Sequence, residues 1–167
     1  MRAIGFNKDN LEENRWQAVS HIVKDFILKR ENDNLALVVF GSSVLTASPL
    51  SFDNISQKEI IDYLNIGIIG DKTAMIDSLI TSINILKNHK AKSNIIILLT
   101  DGEDTASITP INVVLRVAKK HNIKIYTIGI GESNQIILNH IAAQTNAKAF
   151  KAKSKDDLHS VYKEINT

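Results

Sequence analysis

The chain has 167 residues, 44% of them hydrophobic and 23% charged, which is typical of a globular domain with a buried core. A net charge of +2 is too small to favour nucleic acid or an anionic membrane as a partner. Cysteine is absent, which excludes disulfides, thiolate zinc sites and cysteine nucleophiles. No apolar stretch approaches the roughly 20 residues of a membrane span, and the start lacks a signal-peptide pattern. We expect a soluble chain forming a single domain over residues 1–167.

The first part of the chain predicts a helix, a strand pair and a shorter helix. Asn10 with Glu13 fits a capping box, and apolar residues at helical spacing extend the predicted helix to about Arg30. Two apolar strands follow at residues 35–40 and 44–47, with only three residues between them. A gap this short cannot hold a helical crossover, so we predict an antiparallel hairpin. A helix over residues 56–64 comes next.

The remaining chain alternates helices and strands. The predicted helices begin at Thr73, at Thr109 with Pro110, at Asn134 and at Ser154 with Asp157; the predicted strands cover residues 95–100, 123–130 and 148–152. This alternation predicts a doubly wound α/β fold, with a mostly parallel sheet, one antiparallel edge strand and helices on both faces. The all-apolar run before Thr100 predicts a strand that is buried on both faces.

Thr100, Asp101 and Gly102 follow this strand at the carboxyl edge of the predicted sheet, where open α/β folds place ligands. Asp101 is therefore either a turn cap or a ligand to a metal or phosphate. Thr73 is either the N-cap of its helix or a hydroxyl ligand to a hard cation.

Three further acids lie near these positions in the sequence. For Asp77 we expect a solvated or helix-dipole role, and we expect Glu103 and Asp104 to point to solvent. The segment 129–131 lacks the third glycine of a dinucleotide fingerprint, and no phosphate loop or nucleophile elbow occurs. The five histidines show no metal-ligand spacing.

Five segments together resemble a von Willebrand factor A (VWA) domain, closest to the bacterial aerotolerance (Bat-type) kind. They are the first helix with Arg15 and residues 37–40, 73–79, 96–102 and 125–131, which occur in the family's order and span essentially the whole chain. The resemblance implies a Rossmann-like fold and a non-enzymatic protein-binding module. Similar bacterial proteins are often tethered to a membrane by segments outside the domain.

The resemblance also implies a metal-ion-dependent adhesion site (MIDAS). In the family this site combines an Asp-x-Ser-x-Ser loop, a threonine and an aspartate. By position, the threonine is Thr73 and the aspartate is Asp101. Hydroxyl ligands leave a bound Mg²⁺ electron-poor, so it accepts a carboxylate from an acidic residue of a protein partner, and magnesium suits this octahedral role.

The Asp-x-Ser-x-Ser loop and the central first strand of the family are missing from this sequence, which starts where that loop should end. Three explanations remain open: an internal start, completion of the sheet by another copy, or a substitute strand at residues 3–6. We expect self-association, because an unfilled strand position exposes unpaired backbone groups.

Three functions therefore follow as hypotheses. The first is a protein-binding module with an incomplete Mg²⁺ site, and the second is a metal-free scaffold or assembly domain. The third is a metal-dependent hydrolase using Asp101, Glu103 and Asp104, although these acids share one loop and no histidine accompanies them as a general base.

Overall fold

The computed structural model describes residues 14–64 and 69–165. The described helices and strands are α1 Arg15–Leu28, β1 Leu35–Phe40, β2 Val44–Ser51, α2 Asn54–Tyr63, α3 Met75–Leu86, β3 Asn94–Thr100, α4 Ile111–Lys120, β4 Ile123–Ile130, α5 Gln135–Gln144, β5 Ala149–Ala152 and α6 Lys155–Ile165. The chain packs as two compact units. The first unit comprises Met1–Leu37, Ala47–Ile68 and Ala152–Thr167, and the second comprises Val38–Thr46 and Ile69–Lys151.

The described strands form a two-stranded sheet of β1 and β2 and a three-stranded sheet in the order β3-β4-β5. β3 and β4 are parallel, with Asn94 opposite Ile123 and Thr100 opposite Gly129. The predicted α/β class, with a parallel sheet and an antiparallel pair, is confirmed. β2 extends beyond its predicted end to Ser51 and passes through Pro49, a residue that an edge strand tolerates.

Several predicted helix ends change in the structure. Helix α1 begins at Arg15, because Asn14 has an extended backbone and forms the capping box with Gln17, so the predicted start at Asn10 is wrong. Asn10 itself and the possible strand at residues 3–6 lie outside the described residues. The Asn134 cap of α5 is confirmed. So are the reciprocal bonds of Ser154 and Asp157 at the start of α6.

Three helices make up the core of the first unit, where α1 packs against α2 and α6. The rings of Phe26 and Tyr162 lie 4.7 Å apart between centroids, and the Arg30 guanidinium lies over the Phe26 ring. The Trp16 indole donates to the carbonyl oxygen of Leu64 at 3.1 Å. The apolar stripe of α1 is therefore used for packing within this unit.

In the second unit, α3 packs on β3, while α4 and α5 pack on β4. Ile96, Leu98 and Thr100 of β3 are buried, whereas Ile97 and Leu99 are half-buried and Ile95 is 40% exposed. The prediction that both faces of β3 are buried is therefore wrong for one face. Within the described part of the chain β3 pairs with β4 alone, so it lies at the edge of the described three-stranded sheet.

Candidate metal site

The β1–β2 turn supports the loop that carries Thr73. Ser42 donates its backbone N–H to the carbonyl of Ile69 at 2.7 Å, and Ala74 donates to the carbonyl of Gly41 at 2.6 Å. The packing is close, because a Cβ atom on Gly41 would lie within 3.0 Å of three backbone atoms of Ile69 and Gly70. A side chain at position 41 is thus excluded unless this loop moves.

Thr73 joins this loop to the one that follows β3. Its N–H donates to the Thr105 hydroxyl at 3.0 Å. Its carbonyl accepts from the N–H groups of Thr105 at 2.8 Å and Ala106 at 3.1 Å. The Thr73 hydroxyl lies 3.6 Å from the position that a Cβ atom would take on Gly102. The fold therefore brings Thr73 beside the Thr100-Asp101-Gly102 segment.

Asp104, rather than Thr73, caps helix α3. The helix begins at Met75, and its N-cap residue Ala74 provides no side-chain hydrogen bond. Oδ1 of Asp104 accepts from the N–H groups of Met75 at 2.8 Å and Ile76 at 3.2 Å, and from the Ser107 hydroxyl at 2.6 Å. Both the prediction that Asp104 points to solvent and the prediction that the helix starts at Thr73 are therefore wrong.

Asp77 binds the same loop from the helix side. Its two carboxylate oxygens accept from the N–H groups of Ile108 at 3.0 Å and Thr109 at 2.9 Å. Burial raises the pKa of Asp77, but hydrogen bonds from Thr109 and Ile108 outweigh this effect and keep the pKa below its ordinary value. The predicted Thr109 cap of α4 is wrong, because the helix begins at Ile111 with Pro110 as its N-cap and no side-chain cap hydrogen bond.

The lowered pKa of Asp77 predicts a pH-dependent stabilisation. The carboxylate stabilises the fold above the unfolded-state pKa of 3.8, and this contribution is lost as the pH falls through the lower folded-state value. We expect Asp77→Asn to melt at a lower temperature than the unaltered chain at pH 7, and the two melting temperatures to converge in acid. Glu103→Gln, at an exposed position, is the control. An unchanged difference across this pH range would contradict the prediction.

The carboxyl end of β3 presents the other candidate ligand. Thr100 is buried and accepts from the N–H group of Gly102 at 3.3 Å, which fixes the turn that holds Asp101. Asp101 is half-buried, and Glu103 is exposed as predicted, with the Asn134 amide at 3.4 Å. The arrangement offers a hydroxyl and a carboxylate at one edge of the sheet.

Oxygen donors such as the Thr73 hydroxyl and the Asp101 carboxylate suit a hard cation such as Mg²⁺. Within residues 14–64 and 69–165, no three His, Cys, Asp or Glu side chains cluster in a way that could hold a metal. The two candidate donors thus fit part of an octahedral shell, and the remaining positions need water or groups from elsewhere.

The family description "von Willebrand factor type A domain" matches residues 5–164, which covers nearly the whole chain. The chain belongs to this family. VWA domains can bind a metal at a MIDAS, as a zinc-occupied protein of the mussel byssus does. An uncharacterised protein of Borreliella burgdorferi is 30% identical over 123 residues. That alignment covers 74% of this chain and 36% of the relative, so the chain spans about a third of the relative's length.

Three solved structures have a similar fold. The aerotolerance-related membrane protein of Bacteroides fragilis has a TM-score of 0.79 at 17% identity, covering 99% of this chain and 92% of its own. BatB of Bacteroides thetaiotaomicron has a TM-score of 0.81 at 16% identity, covering 99% and 91%. Proximal thread matrix protein 1 of the mussel byssus, with a zinc-occupied MIDAS, has a TM-score of 0.76 at 23% identity, covering 98% and 42%. At these identities the likeness establishes the VWA fold, shared with Bat-type proteins.

Across the described residues, none of the helices combines the length and the apolar character needed to cross a membrane.

Proposed function

We propose that this VWA domain is a protein-binding module that recognises an acidic residue of its partner through a Mg²⁺ ion. Thr73 and Asp101 would hold the ion, and the partner's carboxylate would complete its shell together with water. One observation carries the proposal: the Thr73 hydroxyl lies beside Gly102. Gly102 is the residue that follows Asp101 in the sequence. The byssus protein, which has a similar fold, holds zinc at its MIDAS, and this supports a metal site in a domain of this fold.

The hydrogen bonds of the loop favour recognition over hydrolysis. Asp104 is one of the acids that a hydrolase would use. Its Oδ1 already accepts hydrogen bonds from two backbone N–H groups and a serine hydroxyl. A two-metal hydrolytic site needs several carboxylates that converge from different elements. In the proposed role, the chain's residues bind and orient the ion, and no covalent bond is made or broken.

Titration calorimetry with Mg²⁺ tests the proposed ligand count. Two protein ligands leave most of the octahedral shell to water, so we expect weak binding without a partner. Micromolar affinity for Mg²⁺ would contradict the proposed site, because it would require ligands beyond Thr73 and Asp101.

A second candidate function is metal-free assembly through a strand edge. β3 pairs on one side only among the described strands, and Ile95 on it is 40% exposed. All six residues of β1, which are apolar, are only half-buried. An apolar strand with an open edge is a template for pairing with another chain, so we propose that a second copy adds to the β3 edge.

Light scattering over a range of protein concentrations tests this assembly. We expect a mass above that of the monomer that persists in EDTA, and we expect Ile95→Lys to reduce it by placing a charge on the edge strand. Ile108→Lys is the matched control, because Ile108 is 91% exposed and lies outside the strand. A strict monomer at high concentration would contradict self-association.

A further inference from the structure

Asp104 joins the loop after β3 to the start of helix α3. The first N–H groups of a helix have no partners within the helix. Here Oδ1 of Asp104 accepts two of them, from Met75 at 2.8 Å and Ile76 at 3.2 Å. Residue 104 is 29 positions away from Met75 in sequence, so this cap connects two parts of the second unit that are distant in sequence.

Further bonds hold the same two segments together. Asp77 of α3 accepts from the N–H groups of Ile108 and Thr109, and thereby binds the far end of the loop. Ser107 donates to Asp104 and accepts from the backbone N–H group of Asp77, which links the Asp104 carboxylate to the backbone of α3. The loop and the helix start are therefore fixed to each other by side chains from both sides.

Each candidate ligand lies only a few residues from the hydrogen bonds between Asp104 and the start of α3. Thr73 precedes Met75 by two residues, and Asp101 precedes Asp104 by three. Loss of the Asp104 bonds would loosen the attachment between these two stretches, which the remaining Thr73 and Asp77 bonds would still hold near each other. We propose that Asp104 is a positioning residue of the metal site, which sets the distance between Thr73 and Asp101 without itself binding the ion. This inference rests on the proposed function, since it assigns Asp104 a part in the same site.

Substitution of Asp104 by alanine and by asparagine separates positioning from ligation. Asp104→Ala removes the acceptor, whereas Asp104→Asn keeps one side-chain oxygen that can cap the helix. Mn²⁺ replaces Mg²⁺ at oxygen sites and broadens the NMR signals of nearby amides. We expect Asp104→Ala to weaken Mn²⁺ binding by about 10-fold to 100-fold, as for other residues that orient metal ligands. Asp104→Asn should restore most of the affinity.

Asp53→Ala is the matched control for a merely structural effect. Asp53 caps α2 in the first unit by accepting from the N–H group of Ser56 at 3.0 Å. Its loss removes a helix cap of the same kind, and we expect unchanged Mn²⁺ broadening near Asp101. Equal Mn²⁺ affinity in Asp104→Ala and the unaltered chain would overturn the inference. Equal loss in the alanine and asparagine variants would also overturn it, because charge rather than cap geometry would then matter.

Amide hydrogen exchange keeps this inference separate from the proposed function. The N–H groups of Thr105 and Ala106 donate to the Thr73 carbonyl. Their exchange rates therefore report directly on the contact between the loop after β3 and the segment before α3. We expect faster exchange there in Asp104→Ala but not in Asp104→Asn, with the amides of β4 unchanged in both. Absence of Mn²⁺ binding in the unaltered chain would refute the metal proposal. Unchanged exchange at Thr105 and Ala106 in Asp104→Ala would refute the positioning role.

Discussion

Gly41→Ala is expected to lower the free energy of unfolding by about 1–3 kcal/mol, the usual cost of forcing extra atoms into a packed site. The new Cβ atom would lie 2.8 Å from the Ile69 oxygen and 2.9 Å from the Gly70 oxygen. These are backbone atoms, so no side-chain rotation relieves the clash. The loop must move, which also strains the bond from the Ala74 N–H to the Gly41 carbonyl. Denaturant unfolding measures the change.

Gly102→Ala is the matched control for this substitution. Among the described residues, a Cβ atom on Gly102 would meet only the Thr73 hydroxyl within 4 Å, at 3.6 Å, which is an ordinary contact. We expect it to change the unfolding free energy much less than Gly41→Ala does. Equal destabilisation by the two variants would show that the close approach of the loop to Gly41 is not what makes glycine necessary there.

Asp101→Ala is expected to abolish the Mg²⁺-dependent shifts of the amide signals of Thr73 and Gly102. Of the two proposed ligands, the substitution removes the carboxylate and leaves the Thr73 hydroxyl. A single hydroxyl cannot hold the ion alone. Two-dimensional NMR during a Mg²⁺ titration measures the effect, and the same spectra report whether the fold is intact.

Glu103→Gln provides the comparison for Asp101→Ala, because Glu103 is an exposed acid two residues away. We expect its spectra to respond to Mg²⁺ as those of the unaltered chain do. Persistence of the Mg²⁺-dependent Thr73 shifts in Asp101→Ala would contradict the assignment of Asp101 as a ligand.

Local patterns were sufficient to predict much of the fold. The bounds of β1 and β4 are confirmed, because β1 is a continuous apolar run and β4 a mostly apolar one, each between turn residues. The hairpin followed from a gap too short for a helix. The start of α1 was wrong because two overlapping segments fit a capping box, Asn10 with Glu13 and Asn14 with Gln17, and the fold uses the second.

The parts of the site that sequence reasoning missed depend on contacts between distant segments. No local pattern indicates that Asp104 caps a helix that begins 29 positions earlier, or that Asp77 binds Ile108 and Thr109. A weak signal did exist in Ala74, which is a poor N-cap and leaves the helix start in need of another acceptor. The half-buried face of β3 also depends on which strands pair with it, and an apolar run does not reveal that.

Paramagnetic NMR of the unaltered chain with Mn²⁺ tests the central claim most directly. Bound Mn²⁺ broadens the amide signals nearest to it, so the pattern locates the site without knowledge of the partner. The account predicts that the signals of Thr73, Asp101 and Gly102 broaden first, and that Mg²⁺ restores them by competition. Broadening centred on other acids, such as Asp53 or Asp62 of the first unit, or broadening that Mg²⁺ does not reverse, would contradict it.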